Sequence, residues 1–536
     1  MTWFALPETQ SDSTAAFLDS GSAARWLAEQ PQANVSAMLA GLVTQIQAFN
    51  VYNVAPRERL KTLEVLRKAL FAVSGESQRR YEHKALPLLP AEYATFDSVR
   101  QLWRATTVAY LHCLHACLDR DPSITAHSAK VTHRVLSCLR MEQLNCYVAG
   151  TELDGDFWHI LHSVFAAAEK LGVTRQPIED HLLKETFEST VSGQYCMVLM
   201  LHLARPAGLS RGQFAAVTRW LARWREQAKI LNAPEANPKS CCLALDLSSD
   251  QPILDPLRVA SVGRWLWLDG VLRKMRERLE LLTRGASPES LKLGSVLSSE
   301  ECVALLNALS AHLMHPQRAT TQMPGQPLSI VIAIGLENSY RMLGGSRLKD
   351  EVAAPTSSFA SQLVVEQIAV FGHVVHETDA SSESAAEIWR VVAQDAGELQ
   401  LIRPTENVDT RLTLESLLAI RLPAHADYLL ATVSSLYMRR DGHLCITASL
   451  LFGKPAPLLA EVREKPAGKL SRHPALLLTV ENDASPPQLF IPAGVPGRSL
   501  SIRFYDARGQ LLSALSLLEC LAYGDDSEHW TIAVNR

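Results

Sequence analysis

The sequence predicts an α+β protein, in which an N-terminal all-α domain is followed by a small antiparallel β-barrel with extra strands. Two observations carry this prediction. Before about residue 325, apolar residues recur at three- and four-residue spacing, which is typical of amphipathic helices. From Val364 onward, short apolar runs are separated by turn residues, which is typical of a small barrel or sandwich.

The length of 536 residues is enough for roughly two to four domains. We divide the chain into a poorly ordered N-terminus (1–20), a helical domain (21–235), a mixed connecting region (236–325) and a β-rich domain with a C-terminal extension (326–536). No self-similarity recurs at a fixed spacing, so an irregular helical domain is favoured over a helical repeat scaffold.

The helical part shows clear start signals. Asn34 or Ser36 can cap a helix that continues to Phe49, and Pro56 stands where the next helix begins. The same apolar periodicity predicts further helices over 95–120, 125–146, 155–172, 178–204, 210–231, 262–282 and 298–314.

Strands are predicted where short apolar runs alternate between turn residues. A small strand pair is expected within 240–260, and Leu328–Ile334 is rich in β-branched residues. A helix is predicted over 511–520. The remaining predicted strands are 364–375, 388–402 (a strand pair with a short turn), 412–422, 428–438, 444–452, 475–480, 488–491, 499–504 and 529–534.

Composition excludes some classes of function. The net charge is −4, and residues 361–536 hold 15 Lys and Arg against 21 Asp and Glu, so we expect no nucleic-acid partner. No apolar stretch is long enough to predict a membrane span. Ten scattered cysteines and an N-terminus without an export signal predict a cytoplasmic protein with reduced thiols.

Several clusters could carry chemistry. In the segment HCLHAC, Cys113 and Cys117 are one helical turn apart, which is typical of core cysteines as well as of half a metal site. Cys241 and Cys242 are adjacent in a predicted strand and would point to opposite faces. Because we find no nucleophile elbow, no phosphate-binding lysine loop and no dinucleotide fingerprint, we predict neither an enzyme, nor a metal site, nor a resident cofactor.

Arginines are the other candidates. Arg341 and Arg347 flank a glycine pair shortly before the β-rich domain. Arginine binds phosphates through two hydrogen bonds and stacks on planar bases. Arg100 with Arg104, and Arg219 with Arg223, are each spaced by four residues, but on a helix this spacing also describes neighbours on a solvated face.

The C-terminal part resembles a PilZ domain, the six-stranded barrel known as a bacterial receptor for cyclic di-GMP. The resemblance rests on the order of the segments IWRVV, ELQLI, LTLESLLAIRLP and YLLATVSSLYMRRDGHLCITASLLFG. The N-terminal run ERLKTLEVLRKAL and the segment after the barrel are similar to large β-proteobacterial PilZ-like proteins with helical N-terminal regions. The resemblance implies a barrel fold and a role in cyclic di-GMP signalling.

The chain departs from the ligand motif that the resemblance implies, an R-x-x-x-R arm followed by D/N-x-S-x-x-G. Aligned on the strand pair, the second element falls on Ala393, Asp395 and Glu398. A methyl group replaces the side chain that would bond a guanine edge, and a carboxylate would repel a phosphate. Glu398 stands in place of a glycine that permits close backbone approach.

Two function hypotheses follow. In the first, the chain is a non-catalytic signalling adaptor that acts through protein partners. In the alternative, it is a cyclic di-GMP receptor with a non-standard arginine site formed by Arg341, Arg347 and Arg403. An uncharacterised enzyme is a third class, which would need a polar cleft with perturbed titratable groups.

Overall fold

The computed structural model divides the chain into two compact units, Met1–Ala319 with Tyr437–Gly442, and Thr320–Leu436 with His443–Arg536. The structure describes residues 4–12, 14–31, 34–183, 187–237, 239–254, 263–315, 321–322, 328–345, 386–395, 397–404, 410–423, 427–465, 469–480, 486–512 and 515–534.

The first unit is built from α-helices. Their bounds are α1 (Ser20–Glu29), α2 (Val35–Asn50), α3 (Pro56–Gln78), α4 (Pro90–Leu118), α5 (Ser128–Val148), α6 (Gly155–Leu171), α7 (Val191–Leu203), α8 (Arg211–Trp224), α9 (Asp269–Thr283) and α10 (Ser299–Met314). In agreement with the sequence, Asn34 caps α2 by accepting a hydrogen bond from the Ala37 amide, and Pro56 is the first residue of α3. Within the described residues, no helix is both long and apolar enough to cross a lipid bilayer.

Two predicted helices of this unit begin later than periodicity indicates. Strand β1 (Pro177–Glu179) pairs antiparallel with β2 (Glu188–Thr190), and α7 starts only where the Thr190 hydroxyl caps it. Before α9, β5 (Arg264–Trp267) pairs with both β3 (Lys229–Leu231) and β4 (Cys242–Leu245). The helix predictions are therefore wrong for the described residues 178–179, 188–190 and 264–267, which form strands because backbone pairing between distant segments outweighs local periodicity.

The second unit contains a closed six-stranded antiparallel barrel, as predicted. Its strands run in the order β8-β7-β10-β11-β12-β9, and β9 pairs back with β8 to close the barrel. The short strand β6 pairs with Ala393 and Gln394 of β8, beyond the residues of β8 that pair with β7. The bounds are β6 (Thr321–Gln322), β7 (Leu328–Ile334), α11 (Leu336–Met342), β8 (Ala386–Asp395), β9 (Glu398–Arg403), β10 (Leu417–Arg421), β11 (Leu429–Met438) and β12 (Leu444–Leu451). The strand predicted at 364–375 lies outside the described residues.

A second antiparallel sheet follows the barrel. Its strands are β13 (Lys454–Glu464), β14 (Leu470–Thr479), β15 (Gln488–Pro492), β16 (Ser499–Tyr505), β17 (Leu511–Leu512), β18 (Leu515–Tyr523) and β19 (Ser527–Val534), in the order β17-β16-β13-β14-β15-β19-β18. The helix predicted over 511–520 is wrong, since β18 pairs with β19 from Leu515 opposite Val534 to Tyr523 opposite Glu528. Strand β13 was not predicted from the sequence, since it contains two prolines.

Candidate functional site

The predicted ligand motif lies on a tight hairpin of the barrel. Ala393 is buried in β8 opposite Gln400, while Asp395 at the end of β8 is opposite Glu398 at the start of β9. Gly397 turns the chain with φ of 85°, a conformation that favours glycine. The structure thus brings the three predicted positions together, and it places two carboxylates at the turn.

Two of the three predicted arginines, Arg403 and Arg341, have partners away from the turn of this hairpin. Arg403 is at the far end of β9, five residues from Glu398 and therefore about 17 Å along the strand. Its guanidinium bonds Glu387 at 2.5 Å and the Thr410 carbonyl at 2.6 Å, and the side chain is only 4% exposed. Arg341 is half-exposed on α11 and pairs with Glu337. Arg347 lies outside the described residues, and the ligand role of all three stays a prediction.

A buried ionic cluster holds the helical unit together. Arg67 of α3 and Arg134 of α5 both bind the carboxylate of Asp180, which follows β1. Arg134 also bonds Glu64 at 3.0 Å. Burial alone would raise the pKa of Glu64, but Arg134 and its other cationic neighbours hold that pKa at about 2. Because the charges of this cluster compensate one another, we assign the cluster a structural role in stabilising the helical unit.

The cysteine-rich segment of α4 behaves as core. Cys113 and Cys117 are buried thiols, and burial raises the pKa of Cys113 to about 12. Among the residues that the structure describes, no group of three or more His, Cys, Asp or Glu side chains converges as a metal site would require.

A cleft of about 620 Å³ opens in the helical unit between the end of α3, the end of α5 and one face of α8. We call it the arginine cleft, and define it by Glu82, His83, Val148, Arg211, Phe214, Thr218, Arg219 and Arg223. Its volume is in the usual range for small-molecule sites.

The three cleft arginines have different partners. Arg211 pairs with Glu82, and Arg223 donates to the backbone carbonyl of Lys292. Within the described part of the chain, the Arg219 guanidinium has no ion pair or hydrogen bond. The cleft therefore carries positive charge that its own groups do not neutralise.

His83 forms the opposite wall. Its backbone φ is 50°, an uncommon value for a residue with a side chain, and its amide donates to the Val148 carbonyl at 2.7 Å. The imidazole packs edge-on against Phe214 with ring centres 5.6 Å apart. Burial lowers the pKa of His83, with a further lowering by Arg211 against the opposing effect of Glu82.

The sequence shows the spacing of Arg219 and Arg223 but does not place them in a cleft. The four-residue spacing was the available signal. The missing information was that the ends of α3 and α5 lie beside one face of α8, which brings Glu82 and Arg223 to the same cleft although they are distant in the chain.

Comparisons with known proteins bear on this unit. Residues 21–235 match the family model described as "Cyclic-di-GMP receptor FimW, N-terminal domain". Over 214 residues the chain is 24% identical to the cyclic-di-GMP receptor FimW of Pseudomonas aeruginosa. The helical domain is thus similar to the N-terminal domain of FimW.

The similarity covers only part of each of the two chains. It covers 39% of this chain and 34% of FimW, so the match spans about a third of that curated relative. No solved structure matches the chain. Every residue that lines the arginine cleft lies inside the range that the family model matches.

Proposed function

We propose that this chain is a receptor for cyclic di-GMP that transmits the signal through contacts with protein partners and catalyses no reaction. The observation that carries the proposal is the similarity of residues 21–235 to the N-terminal domain of a protein named as a cyclic-di-GMP receptor. It favours the receptor hypothesis over the ligand-free adaptor that the sequence alone placed first.

The chemistry of the helical unit supports the proposal. Cyclic di-GMP carries two phosphodiester charges and two guanine bases, and arginine suits both groups. The arginine cleft offers uncompensated guanidinium groups in the domain that resembles the receptor. The hairpin of Asp395 and Glu398 offers carboxylates where the barrel motif would need small or neutral groups.

We further propose a cytoplasmic location, in agreement with ten cysteines that are all unpaired thiols. Reduced cysteines are typical of that compartment.

Isothermal titration of the full chain tests the receptor function. We expect saturable heat with cyclic di-GMP, and little or none with cyclic di-AMP or GTP at the same concentrations. Absence of heat with cyclic di-GMP at tens of micromolar protein would refute the proposal.

A second candidate function is protein docking without a ligand, which the acidic hairpin and the internal pairing of Arg403 favour. Affinity capture with the full chain, with and without cyclic di-GMP, separates the two. A partner recovered equally in both conditions supports the ligand-free function, whereas recovery that changes with cyclic di-GMP supports the receptor.

A further inference from the structure

We propose that the arginine cleft, and not the barrel hairpin, is the site that binds the cyclic dinucleotide, with Arg219 and Arg223 as the phosphate-binding residues. This inference rests on the proposed receptor function and deepens it by assigning the site. Three features of the described residues support it: the charge of the cleft, the way its arginines are held, and the strained wall opposite them.

The charge of the cleft suits a dianion. Among the described residues that line it, Glu82 is the single carboxylate, and it is paired with Arg211. Arg223 donates to a backbone carbonyl, which leaves its positive charge uncompensated. With Arg219, the cleft presents two such charges, which match the two phosphodiester groups.

The two guanidinium groups are placed to act together. Arg219 and Arg223 are four residues apart on α8, so their Cβ atoms are neighbours about 5–6 Å apart on one face. The backbone of Gly294 packs against the Arg219 guanidinium so closely that a side-chain carbon there would overlap it. Gly294 has φ of 103° and acts as a positioning residue, since it lets the loop hold Arg219 in place.

The opposite wall has the features of a binding surface. His83 has a positive backbone φ, a conformation that costs free energy and that clusters at functional sites. Its half-buried ring can stack on a purine, while buried Phe214 fixes that ring from behind. Thr218 also lines the cleft, and its buried hydroxyl has no hydrogen-bond partner among the described residues.

Titration of cyclic di-GMP into the full chain and its variants tests the assignment. We expect Arg219→Ala and Arg223→Ala each to weaken binding about tenfold to hundredfold, because each removes a charge-assisted hydrogen-bond donor. Arg219→Lys keeps the charge but loses the planar fork, so it should fall between Arg219→Ala and the unaltered protein. The matched control is the double variant Arg273→Ala/Arg276→Ala on the exposed side of α9, which should bind within about twofold.

The possible results test the assignment of the binding site separately from the proposed receptor function. Unchanged melting curves would show that the cleft variants remain folded. If the unaltered chain binds cyclic di-GMP and the cleft variants bind it equally well, the site assignment is overturned while the receptor function stands. If the unaltered chain does not bind it, the receptor function fails and the assignment fails with it. Hydrogen exchange adds a second readout, in which we expect ligand to protect the amides of α8 and of residues 82–83; protection confined to the barrel overturns the assignment.

Discussion

Arg67 binds both carboxylate oxygens of Asp180, at 3.0 and 2.8 Å, although 113 residues separate the two in the chain. The pair is almost completely buried, with side chains 7% and 1% exposed. Because Arg134 binds the same carboxylate, Asp180 fixes the segment after β1 to both α3 and α5. Because two arginines share this buried carboxylate, its removal should strongly reduce the stability of the helical unit.

We expect Asp180→Asn to destabilise the helical unit by about 3–5 kcal/mol, since it leaves the buried Arg67 without its paired carboxylate and leaves Arg134 with Glu64 alone. Urea unfolding followed by tryptophan fluorescence measures this, because eight of the ten tryptophans precede residue 320. Glu179→Gln is the matched control: its carboxylate is exposed and lies 3.8 Å from His181, so the change should be within about 0.5 kcal/mol. Equal effects of the two substitutions would contradict the role of the cluster.

Acid should destabilise the helical unit through Glu64. The pKa of this carboxyl falls from an ordinary value of 4.5 to about 2, where cationic neighbours outweigh burial. A folded-state pKa below the unfolded one stabilises fully above about pH 4.5, and this contribution disappears as the pH falls towards 2. The contribution is of the order of 3 kcal/mol.

Urea midpoints measured between pH 6 and pH 3 test this prediction. The unaltered chain should lose more stability over that interval than Glu64→Gln, which cannot titrate at this position. If the urea midpoints of the two proteins fall equally with pH, Glu64 does not contribute to the acid sensitivity of the helical unit.

In the second unit, substitution of Arg403 should reduce stability far more than substitution of Arg341. Arg403→Met leaves the largely buried Glu387 carboxylate unpaired and should destabilise the barrel by about 3–5 kcal/mol. Arg341→Ala removes an exposed pair with Glu337 on one helix face, worth about 0.3–0.5 kcal/mol.

Hydrogen exchange of the β8 and β9 amides reports on the barrel directly. We expect faster exchange in Arg403→Met and unchanged exchange in Arg341→Ala. Unchanged exchange in both variants would mean that the Arg403–Glu387 pair does not hold these strands.

Replacement of two glycines by alanine should change the stability of the protein in opposite directions. Gly75 lies within α3 and an added methyl group would meet no atom within 4 Å, so Gly75→Ala should stabilise by about 0.5–1 kcal/mol. Gly270 at the start of α9 packs on the Gln227 carbonyl, and a methyl group there would overlap it. Gly270→Ala should therefore lower the melting temperature; an increase would show that the contact relaxes easily.

Local signals carried much of the fold. Asn34 and Pro56 mark the starts of α2 and α3, because capping and the fixed φ of proline act within one helical turn. The hairpin of β8 and β9 follows from two apolar runs around a short turn at Gly397. By contrast, LLSALSLLEC has leucines at spacings that fit a helix as well as a strand, and pairing of β18 with β19 decides between them.

The features of the candidate site can likewise be separated into those that the sequence predicts and those that depend on the tertiary structure. The sequence alone determined the α+β class and the departures at Ala393, Asp395 and Glu398, since these depend on neighbouring residues and alternation along the chain. The order of the strands around the barrel came from the structure. Only the tertiary structure decided that Arg403 is held by Glu387 and that Arg219 lines a cleft whose single described carboxylate, Glu82, is paired with Arg211. The physical reason is that the charge balance of an arginine depends on groups brought close by packing, and a four-residue spacing on a helix cannot state which groups those are.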